Sequence, residues 1–137
     1  MKAIVYTKYG PPDVLQLEEV PKPVPGEDEV LIKIYATTVF AADCELRGLT
    51  RWVMLRPLVR LAVRIIKRRK KQRYLILGQE VTGEIEAVGK EVTRFREGDQ
   101  VFGWTGLRMG SYAEYICLPE KGILAIKPPN LTYEALW

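Results

Sequence analysis

Histidine is absent from the 137-residue sequence altogether. Neutral imidazole is a good zinc donor and a glutamine amide is a poor one, so the donor that most zinc centres rely on is missing. Cysteine is scarce: Cys44 and Cys117 are the only two. They are too few for a disulfide framework, and reduced thiols in a cytosolic protein are the simpler expectation. No apolar run approaches the ~20 residues needed to span a bilayer. The opening stretch, Met1 to Lys8, is too short and too polar to read as a signal peptide, so a cytoplasmic protein is expected. Nor does any Gly-x-Gly-x-x-Gly follow a strand, so these residues offer no phosphate-cradling turn.

What is present is the composition of a globular domain. Apolar residues make up 47% of the chain, enough for one domain with a buried core. Glycine is spaced rather than scattered. The stretch from Gly78 to Val92 sets Gly78, Gly83 and Gly89 among residues that favour extended structure. Glycine inside a strand marks a bulge, a tight bend or a close backbone approach. Val81, Ile85, Val88 and Val92 keep no single alternation, as expected of a strand that bends and changes its buried face. Gly98-Asp99, between Phe95 and Val101, is turn chemistry. The expectation is a curved antiparallel sheet with glycines at its corners.

In chain order, Ala3 to Tyr6 predicts a short strand, Gly10 to Asp13 a turn, and Val14 to Val20 the partner strand of a hairpin. Pro21 to Gly26 is a stiff connector. Val30 to Ala36 is the best strand, with Val30, Ile32 and Ile34 facing the core and Leu31, Lys33 and Tyr35 facing away. Thr37 to Gly48 leaves it and begins a short helix. There Asp43 and Arg47 stand at the spacing of an intrahelical ion pair, and Cys44 reads as a partly buried small residue. Tyr74 to Leu77 predicts a buried strand, residues 105–110 a mobile loop, and Ser111 to Leu118 and Gly122 to Lys127 two further strands. Pro128 to Ala135 starts a helix with Thr132 as its cap.

Four blocks, in order, resemble the medium-chain dehydrogenase/reductase superfamily in its N-terminal, GroES-like (alcohol dehydrogenase-like) domain. They are Met1 to Tyr6; Gly78-x-Glu80-x-x-Gly83-x(5)-Gly89-x-x-Val92; Arg94-Phe95-x-x-Gly98-Asp99-x-Val101; and Gly110 to Tyr115. The resemblance covers the chain except Arg51 to Arg73. It implies a mainly β fold with short helices, a GroES-like partly open β-barrel. It also implies NAD(P) as cofactor, bound mainly by a Rossmann domain that follows in full-length relatives and is absent from these residues. Zinc-dependent members carry histidine where this chain has Gln79, cysteine where it has Phe40, and a proton-relaying hydroxyl where it has Ala42. The four-cysteine lobe of structural zinc is missing too. The chain therefore resembles the zinc-independent, quinone-oxidoreductase-like branch, and no metal is expected. Val39 to Gly48 resembles that branch's asparagine-x-x-aspartate segment. Asp43, Arg47 and Gly48 match, and Phe40 replaces the asparagine and its polar contacts. Phe40, Asp43, Gln79 and Glu80 are the resulting cleft candidates. Glu80 reads either as an acid/base group or, more commonly for such an acid, as a structural hydrogen-bond partner.

Residues 51–73 differ in kind. They hold ten of the 21 basic residues and none of the 17 acidic ones, which leaves the remainder of the chain at a net charge of −6. After Pro57 they predict an amphipathic helix, with Arg60, Arg64 and Arg68 stepping along one face. In the superfamily this region is a variable lid. A packed lid is the first expectation; an anionic membrane surface, and a nucleic acid or cofactor phosphate, are the other uses for such charge. Trp52 and Tyr74 stand only at its edges, so a stacking platform for single strands is poorly supported.

Two functional readings follow. One is the substrate-side domain of an NAD(P)H-dependent, zinc-independent oxidoreductase. It would transfer hydride to a carbonyl, quinone or enone, would be inactive without its nucleotide domain, and would be compatible with a homodimer. The other is a stand-alone GroES-like binding module whose basic helix contacts an anionic partner.

Overall fold

The computed structural model describes residues 1–48 and 75–136. The expected basic helix, with Arg60, Arg64 and Arg68, lies outside the described residues. Among these, eight strands form two antiparallel sheets. A three-stranded sheet, ordered β2-β1-β4, contains β1 (Lys2–Tyr6), β2 (Gln16–Glu19) and β4 (Leu75–Ile76). The five-stranded sheet, ordered β7-β3-β5-β6-β8, contains β3 (Glu29–Ala36), β5 (Glu80–Val88), β6 (Gln100–Trp104), β7 (Tyr115–Pro119) and β8 (Ile123–Ile126). Helix α1 spans Ala41–Gly48. The fold is mainly β and curls into the partly open barrel that the resemblance implies. No helix among the described residues is long and apolar enough to cross a membrane.

Alternation explains the core. Val30, Ile32, Val81, Ile85 and Val101 from β3, β5 and β6 are each at most 1% exposed. Each such side chain stabilises the fold by about 1.5–3 kcal/mol relative to exposure. Ile34 packs against this cluster, as the alternation predicts. Leu31, assigned to the outward face, is nevertheless buried, because β3 is an inner strand with β5 and β7 on either side.

The curl comes from the β3–β5 ladder. Its register shifts between Leu31 and Ile32 and again between Ile34 and Ala36, and Gly83 sits opposite Ile34. A Cβ on Gly83 would stand 2.0 Å from the Lys33 carbonyl oxygen. The predicted close backbone approach is therefore real, and paired register shifts of this kind bend a strand.

The strand expected over Tyr74 to Leu77 forms at Leu75–Ile76 and pairs with β1, and Gly78 then turns the chain at φ +96°. Two local expectations are corrected. The predicted strand over 111–118 is shorter, since its first residues hold the two sheets together. Ala113 bridges Ala3, the Ile4 N–H donates to the Tyr112 carbonyl at 2.8 Å, and the Glu114 N–H donates to the Lys2 carbonyl at 3.0 Å. The C-terminal helix is only a 3-10 turn, Glu134–Leu136, with Thr132 Oγ1 accepting the Ala135 N–H at 3.2 Å as a cap. The buried Lys127 Nζ donates to the Leu131 carbonyl at 2.6 Å and the Pro128 carbonyl at 3.2 Å, taking oxygens that a helix would use.

Two measurements test this framework. Gly83→Ala is expected to destabilise the domain by about 3 kcal/mol, the upper end of overpacking costs, and to lower Tm by roughly 10 °C. An unchanged Tm would mean that the two backbones are not in contact. Glu120 is buried, and its Oε2 accepts the Arg94 and Thr93 N–H groups at 2.9 and 2.8 Å. Those two bonds, Arg94 first, hold its carboxyl below the usual range. A carboxyl whose pKa is lower folded than unfolded stabilises above its unfolded pKa and loses that stabilisation as pH falls through the folded value. The Tm gap between the parent and Glu120→Gln is therefore expected to be widest near neutrality and to close below about pH 4, the ordinary glutamate range. A gap independent of pH would overturn this assignment.

Candidate cleft around Asp43 and Glu80

Four segments converge where β3 ends: the Thr37–Phe40 exit into α1, the Gly78–Glu80 entry to β5, the Thr105 end of β6, and residues 110–112. Asp43, in the first turn of α1, is 2% exposed. Its Oδ1 accepts the Gly78 N–H at 3.1 Å, and its Oδ2 accepts the Phe40 N–H at 3.2 Å and the Tyr112 hydroxyl at 3.1 Å. An acid in a first helical turn suits the free N–H groups and the dipole there. The expected ion pair with Arg47 does not form. Asp43 faces inward to Gly78, and the Arg47 guanidinium donates to the Gly10 carbonyl at 2.9 Å.

Glu80 is half-buried and accepts a hydrogen bond from Thr38 Oγ1 on its Oε2. Thr37 Oγ1 donates to the Glu80 backbone carbonyl at 2.7 Å. That bond uses the only Thr37 hydroxyl proton, so Ser111 is the donor in the 2.9 Å Thr37–Ser111 contact. Adjacent threonines thus fix both the main chain and the carboxylate of one glutamate. Gln79 is 8% exposed; its carbonyl accepts the Thr105 N–H at 2.6 Å, and its side-chain amide makes no hydrogen bond to another described residue. Thr105 Oγ1 donates to the Gly78 carbonyl at 3.2 Å, and the Gly110 N–H to the Leu77 carbonyl at 3.2 Å. The loop expected to be mobile is therefore fastened at both ends.

Apolar surface flanks this polar centre. Glu80 pairs with Trp104 across β5 and β6, and Trp104 pairs with Ile123 across β6 and β8. Directly opposed residues share a sheet face. Trp104 is 45% exposed and Ile123 65%, while Phe40 is 50% exposed beyond the threonines. The four candidates therefore gather in one region: Phe40 on its edge, Asp43 beneath it, Gln79 and Glu80 entering it. Trp104 was not among them. Its place depends on the β5–β6 register, which no local pattern encodes.

Burial sets the electrostatics of the surrounding phenols. Tyr112 is pushed well above the normal tyrosine range by burial and then by the Asp43 carboxylate. Tyr6 is pushed up to about 12 by burial, with Tyr9 and Asp43 adding to it. Cys44, expected to be partly buried, is exposed because its position on α1 points away from Asp43. Cys117 is half-buried, and burial, helped by Glu29, raises its thiol to about 11. No group of three or more cysteine, aspartate or glutamate side chains among the described residues is arranged to hold a metal ion.

Residues 26–128 match the family model of the alcohol dehydrogenase GroES-like domain. The chain is 37% identical over 116 residues to a quinone oxidoreductase of Lama guanicoe, covering 84% of this chain and 30% of that protein. It is 34% identical over 137 residues to a mitochondrial NAD(P)H oxidoreductase of Dictyostelium discoideum, covering 98% of this chain and 35% of that one. The quinone oxidoreductase structure from Coxiella burnetii superposes with a TM-score of 0.79 at 29% identity, covering 97% of this chain and 38% of that one. The chain thus spans about a third of the length of the curated relatives it matches.

The two cysteines are expected to separate cleanly under a thiol reagent at pH 8. Cys44 should react within seconds to minutes and Cys117 at least tenfold more slowly, since the thiolate is the reactive form. Both should react together once the chain is unfolded. Two equally fast thiols in the folded protein would contradict the burial of Cys117.

Proposed function

The chain belongs to the alcohol dehydrogenase GroES-like domain family, and from that membership we propose that it is the acceptor-binding side of an NAD(P)H-dependent, zinc-independent oxidoreductase. The acceptor is a quinone, an enone or another carbonyl compound. The observation that carries this reading is the Glu80–Thr38 pair, a half-buried polar couple with the half-exposed Trp104 directly across the ladder from Glu80 and the half-exposed Phe40 two residues beyond Thr38. A flat, uncharged acceptor with a carbonyl oxygen suits such a mixed surface.

The donor set does not fit zinc. An amide side chain at Gln79 and a phenyl ring at Phe40 are poor or impossible ligands, and no step is routed through a metal. A dinucleotide fits only in part. The Phe40 N–H at the start of α1 is already taken by Asp43, so that helix end does not seat a diphosphate. The Gln79 amide and the Glu80–Thr38 pair can face a nicotinamide ring at the cleft mouth. When bound there, the dihydronicotinamide supplies the hydride. In this reading Gln79 donates to the acceptor's carbonyl oxygen, Glu80 and Thr38 hold the proton that the reduced acceptor takes up, and Trp104 and Phe40 keep water away.

The phosphate contacts then belong to a nucleotide-binding region beyond these residues, and the 137-residue chain alone is expected to show no turnover. A small-molecule partner, a cytoplasmic setting and a homodimer are compatible with this reading. The alternative, a binding module working through its basic segment, rests on the charge of residues 51–73, which lie outside the described residues.

Continuing the chain after Trp137 with the nucleotide-binding region of a related quinone oxidoreductase tests the proposal. The chimaera is expected to oxidise NADPH when given a quinone or an enone, and Glu80→Gln to lower its kcat/KM by ~100-fold or more, the usual range for a lost proton-transfer group. A folded chimaera that binds NADPH yet leaves quinones, enones and aldehydes unreduced would rule the reading out.

A further inference from the structure

Asp43 is a buried carboxylate that meets three donors and, among the described residues, no cation. Such a group is costly unless its hydrogen bonds are complete, and here they join three different segments. Oδ2 holds the start of α1 through the Phe40 N–H and the loop above it through the Tyr112 hydroxyl. Oδ1 holds the left-handed turn at Gly78, whose N–H it reaches at 3.1 Å. That turn is a tight slot: a Cβ on Gly78 would stand 2.1 Å from Ser111 Oγ and 2.6 Å from the Tyr112 ring. Gln79 and Glu80 follow Gly78 directly, and Thr38 precedes Phe40 by two residues. Thr38, Gln79 and Glu80 therefore each lie within two residues of an amide that Asp43 holds.

We propose that Asp43 is the positioning residue of the cleft: by holding the Phe40 and Gly78 amides it sets where Thr38, Gln79 and Glu80 point. Asp43 itself is not the reacting group, since it is 2% exposed and its oxygens are occupied by the chain's own Phe40, Gly78 and Tyr112 donors. The charged and titratable groups around it are few. Tyr112 touches it, Tyr6 is near enough to feel its charge, Cys44 adjoins it on α1, and Arg47 turns away to Gly10. Asp43 thus arranges the site that the function proposed above uses, and this arrangement is a property of the chain with no acceptor bound.

Asp43→Asn tests it in the isotope-labelled chain without cofactor or acceptor. Asparagine keeps one oxygen for the Gly78 N–H but turns a donor toward two other donors. The expected result is amide exchange at Phe40 at least tenfold faster than in the parent, shifted resonances at Thr38, Gln79 and Glu80, and a Tyr112 phenol that titrates at lower pH by absorbance. Val30→Ala, a core truncation at the opposite end of β3 from Thr37, is the control for general loosening and is expected to leave all three readouts unchanged. Resonance shifts at Thr38, Gln79 and Glu80 no larger in Asp43→Asn than in this control would overturn the proposal. Should Asp43→Asn not fold, Tyr112→Phe decides in its place. It removes only the hydroxyl and is expected to move the same three residues as the carboxylate reorients; unmoved resonances overturn the proposal. Because nothing is turned over, these outcomes stand apart from the success or failure of the chimaera.

Discussion

The main chains of β3 and β5 approach at Gly83 more closely than any side chain would permit. From that contact follow the two register shifts, the bend of the sheet and the placing of the cleft. Once Thr82 pairs with Ala36, Glu80 must run past the end of β3. There it meets Thr37 and Thr38 as they leave the strand. The glutamate and the threonines that hold it are thus brought together by ladder register, with no contribution from sequence proximity.

Buried polar groups do the remaining shaping, and they do it through backbone partners. Glu120 collects two amides of the loop at Thr93 and Arg94, Lys127 collects two carbonyls of the C-terminal turn, and Asp43 collects two amides and a phenol. Among the described residues no fully buried side-chain nitrogen or oxygen lacks a partner. Lys127 competes with regular structure for the carbonyls it binds, and the C-terminal segment is a turn where the sequence pattern predicts helix. At the cleft, the loop residues Thr37, Thr38 and Gln79 are likewise fastened by hydrogen bonds to distant segments.

The functional reading joins two kinds of information. Family membership comes from matches along three quarters of the chain and from a fold shared with quinone oxidoreductases. The character of the site comes from the structure: a carboxylate with a hydroxyl partner, a buried amide next to it in sequence, and a half-exposed indole directly across the ladder. Thr37 and Thr38, absent from the sequence-level candidates, prove as central as Glu80 itself. Nothing in their own neighbourhood marks them, because their partners lie more than 40 residues away.

The sequence by itself determined the β character, the hairpin at the N-terminus, the sense of β3, the glycine corners and the lack of imidazole ligands. These are local properties, written in alternation, in turn residues and in composition. The family resemblance carried by the glycine pattern also made Gln79 and Glu80 cleft candidates. Only the tertiary structure decided that Asp43 serves Gly78 and not Arg47, that Trp104 stands beside Glu80, and that Lys127 unwinds the helix its neighbours favour. Each of those outcomes is a choice between a near partner and a distant one. Burial makes the distant backbone partner the stronger, and which distant group is available depends on a register set by the whole sheet.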